Sequence, residues 1–399
     1  MKVRSGSVVL LLSAFVVATS LVATIHGANP LTPSAVVAHE WGTFTSIAGE
    51  DGQAVTWQPL SGPTDLPCFV TRLNPNSYKS FAGFDPVRAI KATVRMETPV
   101  IYFYSPRREV MRVNVQFPRG VITEWYPRAY VPTLPINDLS TVRGQATWIG
   151  VTVQPDALAP RFLREREPSH YYAARETDAT PIAVVNESEK FLFYRGLASF
   201  DVPIRATIAD DGRVAVENVS PRSIPQLILF QNSGGRMGFR VAGELDAAVT
   251  LDMPPLTANF ETLRPELQEM LVTQGLYERE AAAMIETWRD SWFDEGTRLF
   301  YIVPRAAVDE LLPLTIDPAP AEIARAFVGR IEIITAAVLD DVEQAILTNN
   351  LPKLLTCGRL LDAIIARIRT RPSLAGRQEK IDNMMRLVAA SHAAEPRCQ

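Results

Sequence analysis

The chain has 399 residues, 47% of them apolar and 21% charged, with a formal net charge of −4. That length is enough for two or three domains and a sizeable core, and the composition is that of a globular protein. A near-neutral balance with no basic tract excludes the electrostatic footprint of a nucleic-acid binder.

Lys2 and Arg4 precede an unbroken run of apolar and small residues from Val8 to Ile25, the pattern of a charged n-region followed by an h-region. Residues 1–28 are therefore expected to be an export signal that is cleaved, with an uncleaved membrane anchor as the alternative. No later segment reads as a membrane span. The expected location is periplasmic or extracellular. Three scattered cysteines, Cys68, Cys357 and Cys398, leave room for one disulfide and one free thiol.

From Ala35 to Val153 the pattern is β. Across His39–Trp57, strict alternation puts His39, Trp41, Thr43, Thr45 and Ile47 on one face and Glu40, Gly42, Phe44 and Ser46 on the other. The Gly49–Gly52 turn signal then predicts a hairpin. Ile90–Tyr104 is a long strand in which Pro99 should mark an edge or a bulge. Met111, Val113, Val115 and Phe117 alternate with polar residues, so one face is buried, and Pro118-Arg119-Gly120 is read as a turn into a hairpin partner over 121–126. A further strand spans 144–153.

Residues 154–180, rich in proline, arginine and glutamate, read as a linker or surface excursion. A second β-rich part covers 181–253, with a strand over 190–197 and hairpins at 204–219 and 225–241. Residues 256–392 form a helical or α+β domain. Helices are expected over 261–274, 278–293, 306–312, 354–368 and 381–388, with strands over 298–303 and 327–334. The fold class predicted is α+β and multidomain: an N-terminal, mostly antiparallel, sandwich-like β body with a C-terminal helical or α+β domain.

Chemistry is sparse. His39 and Glu40 are a candidate acid/base pair beside Trp41, although adjacent strand residues point to opposite faces. Glu97, Glu124, Asp294 and Glu295 lie beside aromatic residues. Two carboxylates near an aromatic platform such as Trp41 or Trp125 would suit glycan hydrolysis. Arg236, in the Gly234–Gly238 turn, is a candidate anion ligand. No histidine or cysteine pair has zinc-ligand spacing, so no metal is expected, and neither a serine-nucleophile motif nor a phosphate loop occurs, so no cofactor is implied. Trp288 and Trp292 repeat at helical spacing, which favours core packing over groove docking.

His39-Glu-Trp-Gly-Thr-Phe-Thr45, Met96-Glu-Thr-Pro-Val-Ile-Tyr-Phe-Tyr104 and the stretch from Trp292 to Pro304 together resemble a family of exported bacterial proteins without assigned activity. The resemblance spans most of the chain after the signal and implies export. It transfers no catalytic residue. Two functions follow as expectations: an exported binding or structural protein of the cell envelope, with an envelope protein or glycan as partner, or a secreted hydrolase acting on carbohydrate.

Overall fold

The structure, a computed structural model, describes Met1 and residues 35–62, 66–73, 87, 89–134, 136, 138–157 and 160–393. The expected export signal, Met1 apart, lies outside these residues, as does Cys398. Ser34–Gln399 make one compact unit.

Its strands in chain order are β1 (Val37–Ala48), β2 (Thr71–Arg72), β3 (Val94–Tyr104), β4 (Glu109–Pro118), β5 (Gly120–Tyr126), β6 (Arg143–Val153), β7 (Ile182–Val184), β8 (Glu187–Glu189) and β9 (Phe191–Ala198). They continue as β10 (Ile204–Ile208), β11 (Val214–Asn218), β12 (Leu227–Ser233), β13 (Arg236–Ala242), β14 (Ala248–Leu251), β15 (Gly296–Ile302), β16 (Leu314–Asp317) and β17 (Glu322–Ile333). The helices are α1 (Phe260–Val272), α2 (Glu278–Thr287), α3 (Arg289–Trp292), α4 (Arg305–Leu311), α5 (Ala336–Leu347), α6 (Leu351–Thr356), α7 (Leu361–Ile368) and α8 (Gln378–Ala393). The α+β class expected from sequence is what is found.

One sheet runs β13-β12-β15-β17-β1-β3-β9-β5-β6-β4-β16, so segments from 35–153, 181–253 and 256–392 all contribute strands to it. A second sheet, β10-β11-β14, packs on one face through Ile204, Ala206, Val214 and Val216, which share a core with Phe44, Met96 and Tyr194 of the large sheet. Helices α1 and α2 cover the other face around Trp41, Phe300 and Val328. The C-terminal helices pack beside them on Ile47 and Trp57. No helix among the described residues is long and apolar enough to cross a membrane.

β1 does not form the hairpin its turn signal suggested. It runs parallel to β17 on one side and antiparallel to β3 on the other, and the segment after Gly49 makes only an isolated bridge, Ala48 to Ala54. The reason is burial. Both faces of β1 are covered, from Ala38 to Ala48 without a break, so each backbone edge is used by a full-length neighbour rather than a short return strand. Likewise β5 does not return along β4: it pairs with β9, and β6 lies between it and β4. The alternation read in β4 holds, with Met111, Val113, Val115 and Phe117 inward. The hairpins β10-β11 and β12-β13 also form as expected.

Pro99 does mark a bulge. The β3–β9 register shifts between Met96 and Val100, and Thr98 takes a positive φ of 42°. Gly42 lies against this bulge, where a Cβ would stand 2.7 Å from the Phe327 ring and 3.0 Å from Pro99 Cγ. The helix expected over 278–293 is broken after Thr287, and that over 354–368 divides around Cys357–Leu360.

Candidate functional site

The helix-covered face of the large sheet carries charge where alternation would call for apolar residues. Side chains at alternate positions place Thr43 and Thr45 (β1), Arg95 and Glu97 (β3), Arg298 (β15), and Arg330 and Glu332 (β17) on that face. Register sets them in rows. Thr45 stands opposite Arg330 on one side and Arg95 on the other, Thr43 stands opposite Glu97, and Arg298 stands opposite Glu332.

Helices α3, α5, α6 and α7 stand off from this face and leave a cavity of about 760 Å³. Its floor includes Thr45, Arg95, Arg298, Arg330 and Glu332, and its wall includes Trp288, Val338, Val342, Cys357, Arg359 and Ile364. The volume lies in the range of small-molecule sites.

The floor is a buried ion network. Glu332 bridges Arg298, at 3.1 Å, and Arg330, whose Nε donates to it at 2.5 Å. Arg359 Nη1 donates to Glu97 Oε1 at 2.6 Å, with Arg95 Nε 3.9 Å from the same oxygen. Burial alone raises the Glu97 carboxyl, but the guanidinium groups of Arg359, Arg95, Arg330 and Arg195 outweigh it and hold the group below the ordinary 4.5. Glu332 behaves alike: burial raises it, and Arg298 and Arg330 bring it below 4.5. Both are therefore carboxylates at neutral pH.

Donor counting separates the arginines. Arg298 is consumed by the fold, since it donates to the carbonyls of Trp292, Asp294 and Glu295 and so clamps the turn between α3 and β15. Arg330 directs Nε and Nη2 at Glu332, leaving its Nη1 hydrogens without a protein partner among the described residues, on the cavity floor. Arg359 donates only to Glu97 among the described residues. Thr45 Oγ1 and Trp288 Nε1, on residues of the lining, are buried without a hydrogen-bond partner among the described residues, as is Glu97 Oε2 behind it. Buried polar atoms are seldom left unsatisfied in proteins, and a cavity bordered by such atoms can receive a polar ligand.

Cys357 is the free thiol, and Cys68 is disulfide-bonded. Burial pushes the Cys357 thiol up to about 11, against a smaller opposing pull from Lys353, so it stays protonated at neutral pH and is a poor nucleophile. Among the described residues no group of three or more histidine, cysteine or acidic side chains is placed to hold a metal ion.

The residues singled out from sequence divide. Asp294 and Glu295 lie at the cavity, exposed on its rim beside Trp288. Glu97 lies immediately behind the lining, tied to Arg359. The others are elsewhere. His39 is buried and donates from Nδ1 to the buried Glu280 at 2.7 Å, packed between the rings of Tyr104 and Tyr277. Glu40 points to the opposite face, where it accepts from Tyr194 and from Arg325, each at 2.5 Å. His39 and Glu40 thus meet different partners and do not converge. Trp41 is fully buried against Tyr102, and Trp125 is core, so neither is a platform. Glu124 accepts from Thr123 on β5, and Arg236 is exposed at the β12-β13 turn. Trp288 and Trp292 are both core-facing, as their spacing suggested, and Trp288 also walls the cavity. Sequence reasoning missed Arg95, Arg298, Arg330 and Arg359. The available signal was an arginine on the apolar side of each of three strands, as in Phe327-Val-Gly-Arg-Ile-Glu-Ile333.

No protein-family model matches the chain. No curated protein matches it either. Among solved structures, the Fcho1 mu homology domain of Danio rerio with bound Eps15 peptide aligns at 9% identity and a TM-score of 0.29, over 75% of this chain and 97% of that one. The yeast delta-COP-I mu-homology domain complexed with Dsl1 WxWxV peptide aligns at 7% identity and a TM-score of 0.24, over 75% and 96%.

Proposed function

We propose that this is an exported binding protein whose ligand carries an anionic group, held in the cavity between the large sheet and the C-terminal helices. Export rests on the residues of the N-terminal signal. The observation that carries the binding reading is Arg330, a residue 6% exposed on the floor of a 760 Å³ cavity, whose Nη1 has no protein partner among the described residues. Its Nη1 faces the cavity, where an anionic group would meet a charged donor that the protein does not use. The residues are those of recognition rather than turnover. Both buried carboxylates are ionised and paired, and the thiol is protonated. Thermal denaturation of the purified protein with benzoate, phenyl phosphate and the neutral benzyl alcohol tests the reading. Stabilisation by either anion and none by the alcohol is the expected result. Equal stabilisation by the alcohol would remove it.

The hydrolase reading keeps one supporting observation. Asp294 is exposed as a residue, yet partial burial at the cavity raises its carboxyl above the ordinary 3.8, as suits a proton donor. Release of reducing sugar from envelope glycans, abolished in Asp294→Asn, would establish it in place of binding.

A further inference from the structure

The cavity is neutral as a whole, but its charges are divided. Five cationic side chains line it, Arg95, Arg298, Arg330, Lys353 and Arg359, against five carboxylates, Asp290, Asp294, Glu295, Glu332 and Asp341. Behind the lining Arg195 and Glu97 offset each other. On the floor Glu332 takes Arg298 and Arg330, while Arg95 and Arg359 share Glu97. Lys353 of α6 is held by Asp341 of α5 at 3.0 Å. Asp290 of α3, and Asp294 and Glu295 in the turn that follows, are exposed on the rim and have no ion-pair partner among the described residues. A simple anion on its way to Arg330 is therefore repelled at the opening, whereas a ligand that also carries a cation is attracted there.

The groups without partners describe the rest of the ligand. Arg330 Nη1, on β17, suits a carboxylate, the anion whose geometry a guanidinium matches. Trp288 Nε1, at the end of α2, and Thr45 Oγ1, on β1, are buried with no hydrogen-bond partner among the described residues. An indole N–H only donates, so what meets it is an acceptor such as a carbonyl oxygen. Elsewhere the wall is apolar, formed by Ile334, Val338, Val342, Leu360 and Ile364. An anionic end, an internal carbonyl, apolar side groups and a cationic end are together the chemistry of a peptide with free termini. A space of 760 Å³ is on the order of 10 Å across, and an extended chain covers about 3.3–3.6 Å per residue, so two or three residues span it.

We infer that the cavity takes a short apolar peptide by both of its ends, the terminal carboxylate on Arg330 and the ammonium among Asp290, Asp294 and Glu295. The inference rests on the reading of the cavity as an anion-binding site. Trp288 Nε1 donates to the peptide carbonyl, and the apolar side chains lie against Val338 and Val342 of α5. Affinity comes from the deep carboxylate and the apolar wall. Selection between a free and a blocked amino terminus comes from the rim.

Titration calorimetry of the purified full chain at pH 7 tests this with dileucine, N-acetyl-dileucine, dileucine amide and leucine, and with phenyl phosphate as a plain anion. Dileucine is expected to bind at least tenfold more tightly than either blocked form and than leucine, whose two charges stand too close together to reach floor and rim. In Asp290→Asn/Asp294→Asn/Glu295→Gln, where all three side chains are exposed and the fold is kept, dileucine and its acetylated form should bind within threefold of each other, with the amide still weak. The acetylated form or the amide binding wild type as tightly as dileucine would overturn capture by both ends. Leucine binding equally well would overturn the peptide. If phenyl phosphate binds and dileucine does not, the inference falls and the anion-binding reading stands. If neither binds, both fall.

Discussion

Arg359, between α6 and α7, donates at 2.6 Å to Glu97 of β3, a residue 262 positions earlier in the chain. This contact ties the helical wall of the cavity to its sheet floor. It also supplies the largest of the cationic influences, with those of Arg95, Arg330 and Arg195, that keep a carboxylate with no exposed surface ionised.

Removing that cation should therefore cost more than a surface ion pair would. Arg359→Ala leaves Glu97 buried with Arg95 at 3.9 Å and the influence of Arg330 and Arg195, none replacing the lost hydrogen bond, and a loss of about 3 kcal/mol is expected, against under about 1 for an exposed pair. Denaturant unfolding monitored by tryptophan fluorescence measures it. A loss below about 0.5 kcal/mol would mean the contact is ornamental.

Acid should unfold the protein through the same network. Glu97 and Glu332 titrate below 4.5 in the fold and near that ordinary value when unfolded. Between those limits the unfolded chain binds more protons, so their contribution is complete above about pH 5 and is lost as pH falls through the folded values. The difference in unfolding free energy between wild type and Glu332→Gln should be constant from pH 7 to 5 and shrink below 4.5. A difference that grows on acidification would reverse the assigned direction.

His39, the most chemically suggestive residue of the opening motif, should prove structural. Its replacement by alanine takes a partner from the buried Glu280 side chain, which keeps the Tyr277 backbone N–H at 2.8 Å. Destabilisation of about 1–3 kcal/mol follows from the lost buried hydrogen bond. Anion binding, read by calorimetry in the folded variant, should remain within threefold of wild type. Complete loss of binding in a folded His39→Ala would return this residue to the functional site.

Gly329 illustrates a constraint of packing alone. On β17, a Cβ there would lie 2.0 Å from the ring of Tyr301, which crosses from β15 and is itself buried. Gly329→Ala must displace an aromatic ring in a close-packed core, and a cost of about 3 kcal/mol or more is expected in the melting curve. Recovery in Gly329→Ala/Tyr301→Leu would show that the ring is the obstacle.

The elements of this fold were largely legible because they follow period and punctuation. Alternation in Met111–Phe117, the Asp211-Gly212 turn and the bulge at Pro99 all act locally. The partners of β1 and β5 were not legible. A strand buried on both faces takes whichever long strand the tertiary structure supplies, and β17 lies almost 300 residues away, as Val37 opposite Glu322 shows. The site was half legible for a similar reason. Asp294, Glu295 and Glu97 stood out beside aromatic residues, whereas the arginines are spread over β3, β15, β17 and the turn after α6. Nothing within a single segment shows that register sets Arg330 and Arg95 on either side of Thr45.

The central claim is that the arginine floor holds an anion. The most direct test is a crystal structure of the protein grown with saturating phenyl phosphate. The account expects the phosphoryl group in the cavity, within hydrogen-bond distance of Arg330 Nη1 and of Thr45 Oγ1 or Trp288 Nε1, with the phenyl ring towards Val338 and Val342. A cavity holding only water under those conditions, or the ligand bound elsewhere, would contradict it.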